Sequence, residues 1–253
     1  RTKHIDKFSD FYINDIRCVW YNGYDIKTKN IIIYFHGGGY SVGSPEIYFD
    51  LCKKLRKRIK DPNTNFLLID YKKSPEFKFI EILNSTFICY RHILSLLKNK
   101  NILFMGDSAG ANLAIHICNL SIINKLKLPS ALICLSPWII TNIKGKFWKD
   151  NMHNDYLTPY TINLAKEALS IDINSTSYNI LDFNFRKFPN ILIRAGKNEL
   201  ILDEILAFVS KIKKYECKYE FHLIDNMIHS FDLFYSFFKE DSPKFNKLIY
   251  FID

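Results

Sequence analysis

The sequence predicts a single α/β domain over residues 1–253, with a mostly parallel central sheet covered by helices on both faces. Short, continuously apolar segments alternate along the chain with longer amphipathic ones. Strands that are apolar on both faces occur in parallel sheets packed between helices. A length of 253 residues with 48% hydrophobic residues is also enough for one large core.

The predicted strands recur through most of the chain. The first spans Ile16 to Tyr21, and the second spans Ile31 to Phe35, immediately before His36. Further short apolar strands are predicted at residues 66–69, 102–105, 131–135, 191–193 and 217–223. Helical segments separate most of these strands, which is the pattern of a parallel sheet.

The predicted helices occupy the intervals between strands. A helix is expected to begin at Ser44 and Pro45, because serine caps helices and proline is favoured at the first helical position, and to end near residue 59. Its sheet-facing side is predicted to comprise the apolar residues at every fourth position: Ile47, Leu51, Leu55 and Ile59. Further helices are predicted over 79–97 and 109–123, and a short one after His229.

The stretch from about Trp138 to Lys187 breaks this alternation. It is polar, rich in Asn and Asp, and helical in pattern only around residues 162–169. We therefore interpret residues 138–187 as a cap-like insertion over the candidate active site.

Two glycine clusters give the clearest indication of function. Glycine occupies only 9 of the 253 positions, yet three of these lie in residues 36–40 (HGGGY) and two in residues 106–110 (GDSAG). The second string is a G-x-S-x-G elbow, a tight strand-to-helix turn that exposes a nucleophilic serine. Ser108 is therefore the candidate nucleophile, and the two clusters together indicate an acyl-transfer hydrolase.

The first glycine string predicts an oxyanion hole. A glycine loop can bring backbone N–H groups close to the carbonyl oxygen that becomes negative in a tetrahedral intermediate. We expect the N–H groups of Gly37, Gly38 and Ala109 to supply that site. His36 begins the loop, and we interpret it as a structural residue that pins the loop.

A base must accept the proton of Ser108, and in enzymes with this elbow it comes last in the chain, after the acid. The later histidines are His116, His153, His222 and His229. His229 lies in a loop after the last predicted strand, where it can reach the elbow across the top of the sheet. We therefore predict that His229 is the base, whereas His116 is expected to pack on the helix that leaves the elbow.

The acid is expected in the loop after the strand at 191–193. The candidates are Glu199, Asp203 and Glu204, with Asp225 further along the chain. Asp203 fits best because it lies at the head of a predicted helix, where an aspartate can also act as a cap.

The balance of charge is basic, with a formal net charge of +9 and a pI of about 9.1. The lysines are scattered, apart from one cluster of Lys53, Lys54, Arg56, Lys57 and Lys60. Scattered charge favours a solvated surface over a nucleic-acid site, and the cluster would suit peripheral contact with an anionic membrane.

The six cysteines show no paired spacing, and most lie in apolar runs, so we expect buried free thiols and favour a reducing, cytoplasmic compartment. No run of 18 or more apolar residues occurs in the sequence. Because the first residue is Arg1, the sequence leaves open that an N-terminal segment with a signal or anchor has been removed. If an anchor was removed, the protein would be membrane-associated.

The sequence resembles the hormone-sensitive-lipase-like branch of the α/β-hydrolases, which includes short-chain carboxylesterases and steryl acetyl hydrolases. The matching strings are 36–39 (HGGG), 69–71 (IDY), 74–76 (SPE), 106–114 (GDSAGANLA), 135–138 (LSPW) and 228–231 (IHSF). Glu199 and Asp203 map onto the branch's two acidic positions, and the second of these implies Asp203 as the catalytic acid. The resemblance extends from about residue 16 to residue 238.

The resemblance implies an α/β-hydrolase fold and a serine esterase that uses no metal or organic cofactor. It implies a small-molecule substrate, namely a short, acetyl-like ester of a hydrophobic alcohol such as a sterol. Tyr40, Trp138 and Phe231 are candidate pocket walls, with core packing as the alternative for each.

Two departures from the branch bear on these expectations. Only about 15 residues precede Ile16, where the branch has a longer helical cap, so we expect the N-terminal cap to be reduced or missing. Ala111 stands where the branch commonly has a further glycine after the elbow, which should tighten the packing behind it.

Three other functions stay open at this point. An arylformamidase-type amide hydrolase uses a related loop and elbow, although Gly39 favours the esterase. A non-catalytic small-molecule receptor on the same fold would lack the histidine that is present here as His229. A lipid-surface binding protein would use the basic helix near residues 53–60. The sequence leaves the oligomeric state open.

Overall fold

The computed structural model describes residues 8–21, 23, 25, 27–170, 178–237 and 243–253. Eight strands lie in this part of the chain: β1 (Ser9–Ile13), β2 (Ile16–Trp20), β3 (Asn30–Phe35), β4 (Thr64–Asp70), β5 (Asn101–Asp107), β6 (Ala131–Leu135), β7 (Asn190–Gly196) and β8 (Tyr219–Ile224). They form one sheet in the order β1-β2-β4-β3-β5-β6-β7-β8. All pairings from β4 through β8 are parallel, whereas β1 and β2 are antiparallel to their neighbours. The predicted mostly parallel sheet is thus confirmed.

The connections between strands are largely helical. The α-helices of the described residues are α1 (Phe49–Arg58), α2 (Phe79–Leu96), α3 (Ser108–Ile123), α4 (Lys146–Asp150), α5 (Pro159–Leu169), α6 (Leu202–Lys213) and α7 (Pro243–Ile252). Shorter 3₁₀ segments span Pro45–Tyr48, Ile180–Asp182, Phe185–Lys187 and Phe231–Phe237. The interval between β6 and β7 carries α4 and α5, and α5 agrees with the helical pattern around residues 162–169.

The sheet separates two apolar cores, and β3 shows how one strand serves both. Ile31, Ile33 and Phe35 pack on the side of α2, α3 and α6, whereas Ile32 and Tyr34 pack on the side of α1 and α7. Successive side chains of a strand point to opposite faces, so a strand covered on both sides must be apolar at every position. This is the physical reason for the continuous apolar runs in the sequence.

The parallel strands also determine where a site can form. The carboxyl ends of β5, β7 and β8 lie at the same edge of the sheet, because these strands run in the same direction. Ser108 directly follows β5, Glu199 lies three residues after β7, and His229 lies in the loop after β8. The topology therefore brings together residues that are far apart in the chain.

Three features of the fold differ from the sequence predictions. Strand β1 and helix α7 were not predicted, because β1 is short with half-exposed polar residues and α7 follows no predicted strand. The first helix also begins later than expected, since Pro45–Tyr48 forms a 3₁₀ segment before α1. Ile47 consequently lies outside the helical period and is 65% exposed, while Leu51, Leu55 and Ile59 are buried as predicted.

All six cysteines are free thiols and buried, as their apolar surroundings predict. None of the helices in the described part of the chain is both long and apolar enough to cross a bilayer.

Candidate active site

Ser108 lies at a strained turn between β5 and α3. Its φ angle is +50°, a left-handed conformation that a non-glycine residue rarely adopts. The flanking glycines leave no room for side chains: a Cβ on Gly106 would lie 2.7 Å from the Gly110 carbonyl carbon, and one on Gly110 would lie 2.0 Å from the Phe35 oxygen. The G-x-S-x-G spacing is thus a steric requirement of this turn.

His229 is buried, and it lines the same cavity as Ser108. Its Nε2 atom is shielded from solvent and has no hydrogen-bond partner among the described residues. The Nε2 atom of His116 is also buried without a partner, but His116 is not among the residues that line this cavity, whereas His229 is. The Nε2 atom of His229 is therefore available to a group that enters the cavity, as a base requires.

The structure places Glu199, and not Asp203, against the histidine. Glu199 Oε2 lies 3.0 Å from His229 Nδ1, and both side chains are buried. The prediction that Asp203 orients the histidine is therefore wrong. The acidic residue closest to the end of β7 reaches the loop after β8, because those two strands are neighbours in the sheet.

The Glu199 carboxylate is held from three directions. Its Oε1 atom accepts the hydroxyl of Ser136 at 2.6 Å and the N–H of Gly196, while Oε2 faces the imidazole. The same Ser136 hydroxyl accepts the N–H of Ser230 at 2.9 Å, so it also fixes the residue after His229. These bonds stabilise the charged carboxylate in a site without water contact.

Asp203 has a different role. Its Oδ2 atom accepts the N–H groups of Gly145 at 3.1 Å and Trp148 at 2.9 Å, and it thereby caps the first turn of α4. A capping role was part of the prediction, but the capped helix is α4 in the insertion and not the helix that contains Asp203.

The remaining candidates lie away from Ser108 and His229. Glu204 is buried beside Lys166, whose Nζ lies 3.9 Å from Glu204 Oε1. Asp225 is exposed and pairs with Lys197 at 3.0 Å. His116 packs edge-on against Phe79 and Phe183, as predicted, and burial lowers its pKa to about 3.

The charge of Glu199 favours protonation of His229, whereas burial acts against a charge on either side chain. Burial opposes a charged imidazole, but the hydrogen bond and charge of Glu199, with the charges of Asp155 and Asp107, outweigh it, so the pKa of His229 is raised. Burial raises the pKa of Glu199 as well, although the bonds from His229, Ser136 and Gly196 act against that shift. A proton taken up at Nε2 would accordingly be stabilised by the carboxylate behind the ring.

The glycine loop differs from the prediction at its first residue. The N–H of Gly37 donates to Asp107 Oδ1 at 2.9 Å and to the hydroxyl oxygen of Tyr48 at 2.8 Å, so it is already occupied. The expected role of Gly37 as an oxyanion donor is therefore wrong. Among the described residues, the N–H groups of Gly38 and Gly39 donate to no other group, and both residues line the cavity.

Glycine is required in this loop for conformational reasons. Gly38 has a φ of +109° and Gly39 a φ of +61°. A Cβ on Gly38 would also lie 2.2 Å from the carbonyl oxygen of Val42. The loop can adopt this sharp turn only because these positions carry no side chains.

His36 pins the loop, as predicted. Its ring is buried and stacks on Tyr71 at 4.1 Å, and the Tyr71 hydroxyl donates to the His36 carbonyl at 2.6 Å. Its Nδ1 lies 2.7 Å from the Gly37 oxygen, and its Nε2 lies 3.8 Å from Asp70 Oδ1.

A cavity of about 880 Å³ opens over Ser108 and His229. The segment between β6 and β7 supplies one wall, and the loop after the glycine string supplies the opposite wall. The residues of the first wall are Tyr156, Leu157, Thr161, Ile162, Leu164, Ala165 and Ala168. Those of the second include Ser41, Val42, Gly43 and Ile47. Most of these side chains are apolar, so the cavity suits a hydrophobic ligand.

Only one of the three predicted pocket walls contacts the cavity. Trp138 lines it. Tyr40 is fully buried, and its hydroxyl donates to Asn112 Oδ1 at 2.6 Å, so it belongs to the core. Phe231 is also buried and packs beside Arg194 and Phe245. The predictions for Tyr40 and Phe231 are therefore wrong, and the alternative of core packing holds for both.

The comparison with known proteins assigns the chain to a family. A family model described as alpha/beta hydrolase fold matches residues 32–233. The chain belongs to the alpha/beta hydrolase fold family. The predicted α/β-hydrolase architecture is thereby confirmed.

Several curated relatives of this hydrolase-family chain are esterases or acetyl hydrolases by name. An esterase of Acinetobacter venetianus is 28% identical over 90% of this chain and 77% of its own length. An acetyl-hydrolase of Streptomyces hygroscopicus is 26% identical over 70% of this chain, and steryl acetyl hydrolase 1 of Saccharomyces cerevisiae is 29% identical over 46%. The chain spans 59% and 28% of the length of these last two proteins. These names support the predicted class of carboxylic ester hydrolases.

Solved structures agree on the fold. An esterase from the bacterial hormone-sensitive lipase family superposes with a TM-score of 0.86 at 22% identity, covering 98% of this chain and 84% of that one. An esterase/lipase from an uncultured bacterium superposes with a TM-score of 0.85 at 23% identity, with the same coverage.

Three residues of the hydrolase site were not predicted. Asp107 holds the glycine loop, Ser136 holds the Glu199 carboxylate, and Asp155 accepts the N–H of His229 at 3.2 Å. Asp107 and Ser136 lie inside the strings that carried the family resemblance, so their position was a usable signal. Asp155 lies in a polar stretch without a motif, and only the tertiary structure brings it to the site.

Proposed function

We propose that this chain is a serine carboxylic-ester hydrolase that acts on short-acyl esters of a hydrophobic alcohol. The observation that carries the proposal is the arrangement in one cavity of Ser108 on its strained elbow and His229 with an unpartnered Nε2, backed by Glu199. A nucleophile, a base and an orienting acid at one sheet edge are the components of acyl transfer through a covalent intermediate.

In the first half-reaction, Ser108 Oγ attacks the ester carbonyl carbon while its proton moves to His229 Nε2. The carbonyl π electrons move onto the oxygen, which accepts N–H bonds from Gly38, Gly39 and Ala109. The tetrahedral intermediate then collapses, the bond to the alkoxy oxygen breaks, and His229 donates its proton to the leaving alcohol. The products of this half are a free alcohol and an acyl-Ser108 ester.

In the second half-reaction, water replaces the alcohol. His229 Nε2 takes a proton from the water as its oxygen attacks the acyl carbon, and the same N–H groups stabilise the oxyanion. Collapse breaks the bond to Ser108 Oγ, which recovers its proton from His229, and the carboxylic acid is released. Throughout, Glu199 fixes the histidine tautomer with its proton on Nδ1 and stabilises the imidazolium.

The substrate class rests on the cavity and on the relatives. The cavity of about 880 Å³ is large enough for a bulky ester, and its walls are mostly apolar. The relatives named as an acetyl-hydrolase and a steryl acetyl hydrolase favour a small acyl group on a larger alcohol. A hydrophobic alcohol of sterol size is the finer form of this proposal.

The segment between β6 and β7 acts in this proposal as a cap on a single hydrolase domain. Helix α5 supplies much of one cavity wall, and a Cβ on Gly39 would lie only 3.4 Å from the Ala165 Cβ. The helix therefore abuts the oxyanion loop, and its side chains would determine how much of the ester is shielded from water.

Labelling with a fluorophosphonate, followed by hydrolysis of p-nitrophenyl esters from acetyl to dodecanoyl, tests the proposal. We expect wild-type protein to be labelled, Ser108→Ala to abolish labelling and to lower kcat by at least about 10⁴-fold, and kcat/KM to be highest for acetyl to butyryl esters. Labelling that persists in S108A would exclude Ser108 as the nucleophile. If kcat/KM were highest for long-chain esters, the protein would still be an esterase, but the short-acyl substrate class would be wrong.

A further inference from the structure

One carboxylate in the segment between β6 and β7 holds both loops that carry the candidate acid and base. Asp155 Oδ2 accepts the N–H of Leu200 at 2.9 Å, and its Oδ1 accepts the N–H of His229 at 3.2 Å and that of Tyr156 at 2.8 Å. Leu200 directly follows Glu199. The carboxylate therefore contacts the backbone of the base itself and the backbone next to the acid.

We propose that Asp155 is a positioning residue that fixes the Glu199 loop and the His229 loop relative to each other. This inference rests on the proposed function, because it assigns Asp155 a role in aligning that acid and base. In this role Asp155 contacts no reacting atom; it acts through the backbone amides of Leu200 and His229 and through its charge.

Other contacts also link the two loops, since the Ser136 hydroxyl donates to Glu199 and accepts the N–H of Ser230, and the N–H of Asn198 donates to the Met227 carbonyl. The side-chain bond between Glu199 and His229 depends on such restraints of the backbone. It is one contact of 3.0 Å between two side chains, each of which rotates about its own torsions. Strand β8 is also an edge strand with half-exposed side chains, so in the described sheet the loop that follows it has a neighbouring strand on one side only. A displacement of about 1 Å between catalytic groups can cost about 10²-fold in rate, so a backbone restraint at this point has a functional consequence.

Asn151 holds the acid loop as well, but not the histidine loop. Its Nδ2 donates to the carbonyls of Lys197 at 3.0 Å and Glu199 at 2.9 Å. Among the described residues of this insertion, Asp155 is thus the side chain that bonds to both loops. The two residues together tie α4 and the turn after it to the site.

Asp155 also belongs to the charge environment of the imidazole. The titratable groups around His229 are Glu199 from the loop after β7, Asp107 from the end of β5, and Asp155 and Tyr156 from the insertion. Burial disfavours the imidazolium, whereas the bond and charge of Glu199 and the charges of Asp155 and Asp107 favour it. Removal of the Asp155 charge should therefore shift the titration of His229 toward lower pH.

Asp155→Asn tests the proposal, because the amide keeps the shape but has one acceptor oxygen in place of two and no charge. We expect kcat on p-nitrophenyl butyrate to fall by roughly 10- to 100-fold, with KM changed less than about threefold. We also expect the acidic limb of the kcat/KM pH profile to move to lower pH. A D155N protein with wild-type kcat and a wild-type pH profile would overturn the proposal.

The matched control is Asp150→Asn in the same insertion. Asp150 is an exposed residue at the end of α4, paired with Lys146, and contacts neither loop. We expect wild-type kcat and an unchanged pH profile for D150N. An equal loss of kcat in D150N and D155N would mean that the charge or stability of the insertion matters, and would contradict a positioning role.

A second variant covers the case in which D155N unfolds below the assay temperature. Asp155→Glu keeps the charge but lengthens the side chain, so it displaces the two amides it holds. We expect D155E to lose about tenfold in kcat while the acidic limb stays at its wild-type pH, and a wild-type kcat would overturn the proposal. Fluorophosphonate labelling of the wild-type protein distinguishes failure of the proposed esterase from failure of the positioning role. If the wild-type protein is not labelled, the esterase proposal is refuted. If it is labelled but the Asp155 variants keep wild-type kcat, only the positioning role is refuted.

Discussion

Asp107 Oδ1 accepts the backbone N–H of Gly37 at 2.9 Å, so the residue before the candidate nucleophile holds the first peptide of the glycine loop. The same carboxylate accepts the hydroxyls of Tyr34 at 3.1 Å and Tyr48 at 3.3 Å, and it is buried. The elbow and the oxyanion loop are therefore one hydrogen-bonded unit. This relationship explains why Gly37 is absent from the proposed oxyanion hole.

Replacing this carboxylate should damage catalysis through the loop. We expect Asp107→Leu, which keeps a side chain branched at Cγ but removes one of the two acceptors of the Gly37 N–H, to lower kcat by about 100-fold, comparable to the loss of one oxyanion donor. Tyr34→Phe is the matched control, since it removes one donor to Asp107 and leaves the Gly37 bond intact; its kcat should stay within about threefold of wild type. Steady-state kinetics measure kcat of both variants, and circular dichroism verifies that they fold. Equal losses of kcat in the two variants would contradict the proposed role of Asp107 in holding the glycine loop.

The choice of acid is open to a direct comparison. Glu199→Gln should lower kcat by roughly 10⁴-fold, because the amide cannot hold the histidine tautomer and stabilise the imidazolium in the same way. Asp203→Asn should leave kcat within a few fold and cost about 1 kcal/mol of folding free energy, because it weakens the cap of α4. Kinetics and thermal denaturation of both proteins are the measurements. If D203N proved the more severe in kcat, Asp203 would regain the role that the sequence suggested.

The pH profile should reflect the raised pKa of His229. The base accepts a proton only when its imidazole is neutral, so kcat/KM should fall as pH falls through a pKa above the ordinary 6.5. Glu199→Gln removes the bond and charge that oppose the effect of burial, so the limb should move to lower pH in that variant. The rate of fluorophosphonate labelling between pH 5 and 9 reports this even where turnover is slow. An unshifted limb in E199Q would mean that another group titrates.

Glu204 should make stability depend on pH. Burial raises its pKa to about 7, against the partial opposing effect of Lys166 and Thr141, from an ordinary value of 4.5. The folded state binds the proton of Glu204 more tightly than the unfolded chain does, so the free energy of unfolding is highest below the pKa of the unfolded chain. It falls as pH rises from 4.5 toward 7, by about 3 kcal/mol in total.

Glu204→Gln isolates this contribution. The unfolding free energy of E204Q relative to wild type should increase between pH 5 and pH 8, since the variant has no carboxyl to ionise. Glu76→Gln, at an exposed position, should track wild type at every pH. Urea titrations at a series of pH values give these differences, and a constant offset for E204Q would show that Glu204 does not titrate in this window.

Leu164 offers a test of the cavity that leaves the core intact. It is 52% exposed and lines the cavity wall on α5. Leu164→Ser should leave the unfolding free energy within about 0.5 kcal/mol but raise KM for hydrophobic esters up to about tenfold, through loss of apolar contact. Leu96→Ser is the matched control, because Leu96 is 62% exposed on α2 and borders a different groove. An equal rise in KM for both variants would place the ester elsewhere.

The chemistry-bearing elements could be predicted from the sequence because local constraints specify them. The strand before Ser108, the glycines around it and the apolar run of β3 each follow from backbone sterics or from burial on both faces of the sheet. His229 was likewise found by its place after the last strand. Each of these features depends on residues that are close together in the chain, so the sequence alone is enough to predict it.

The choice between equivalent residues was decided by the tertiary structure. Glu199 and Asp203 lie four positions apart at one loop, and sequence spacing does not tell which carboxylate faces β8 and which faces α4. The same holds for Gly37, whose N–H is taken by Asp107, a residue far along the chain.

Packing decided the rest of the site. Tyr40 and Phe231 are core residues and Ile47 is exposed at the cavity, although all three are apolar side chains beside motif residues. Asp155 reaches the histidine from a stretch with no motif. The sequence by itself determined which groups are candidates for the chemistry and which strands present them. The assembled sheet and the insertion packed on it decided which side chains meet, because contacts between distant segments are determined by three-dimensional packing and not by spacing along the chain.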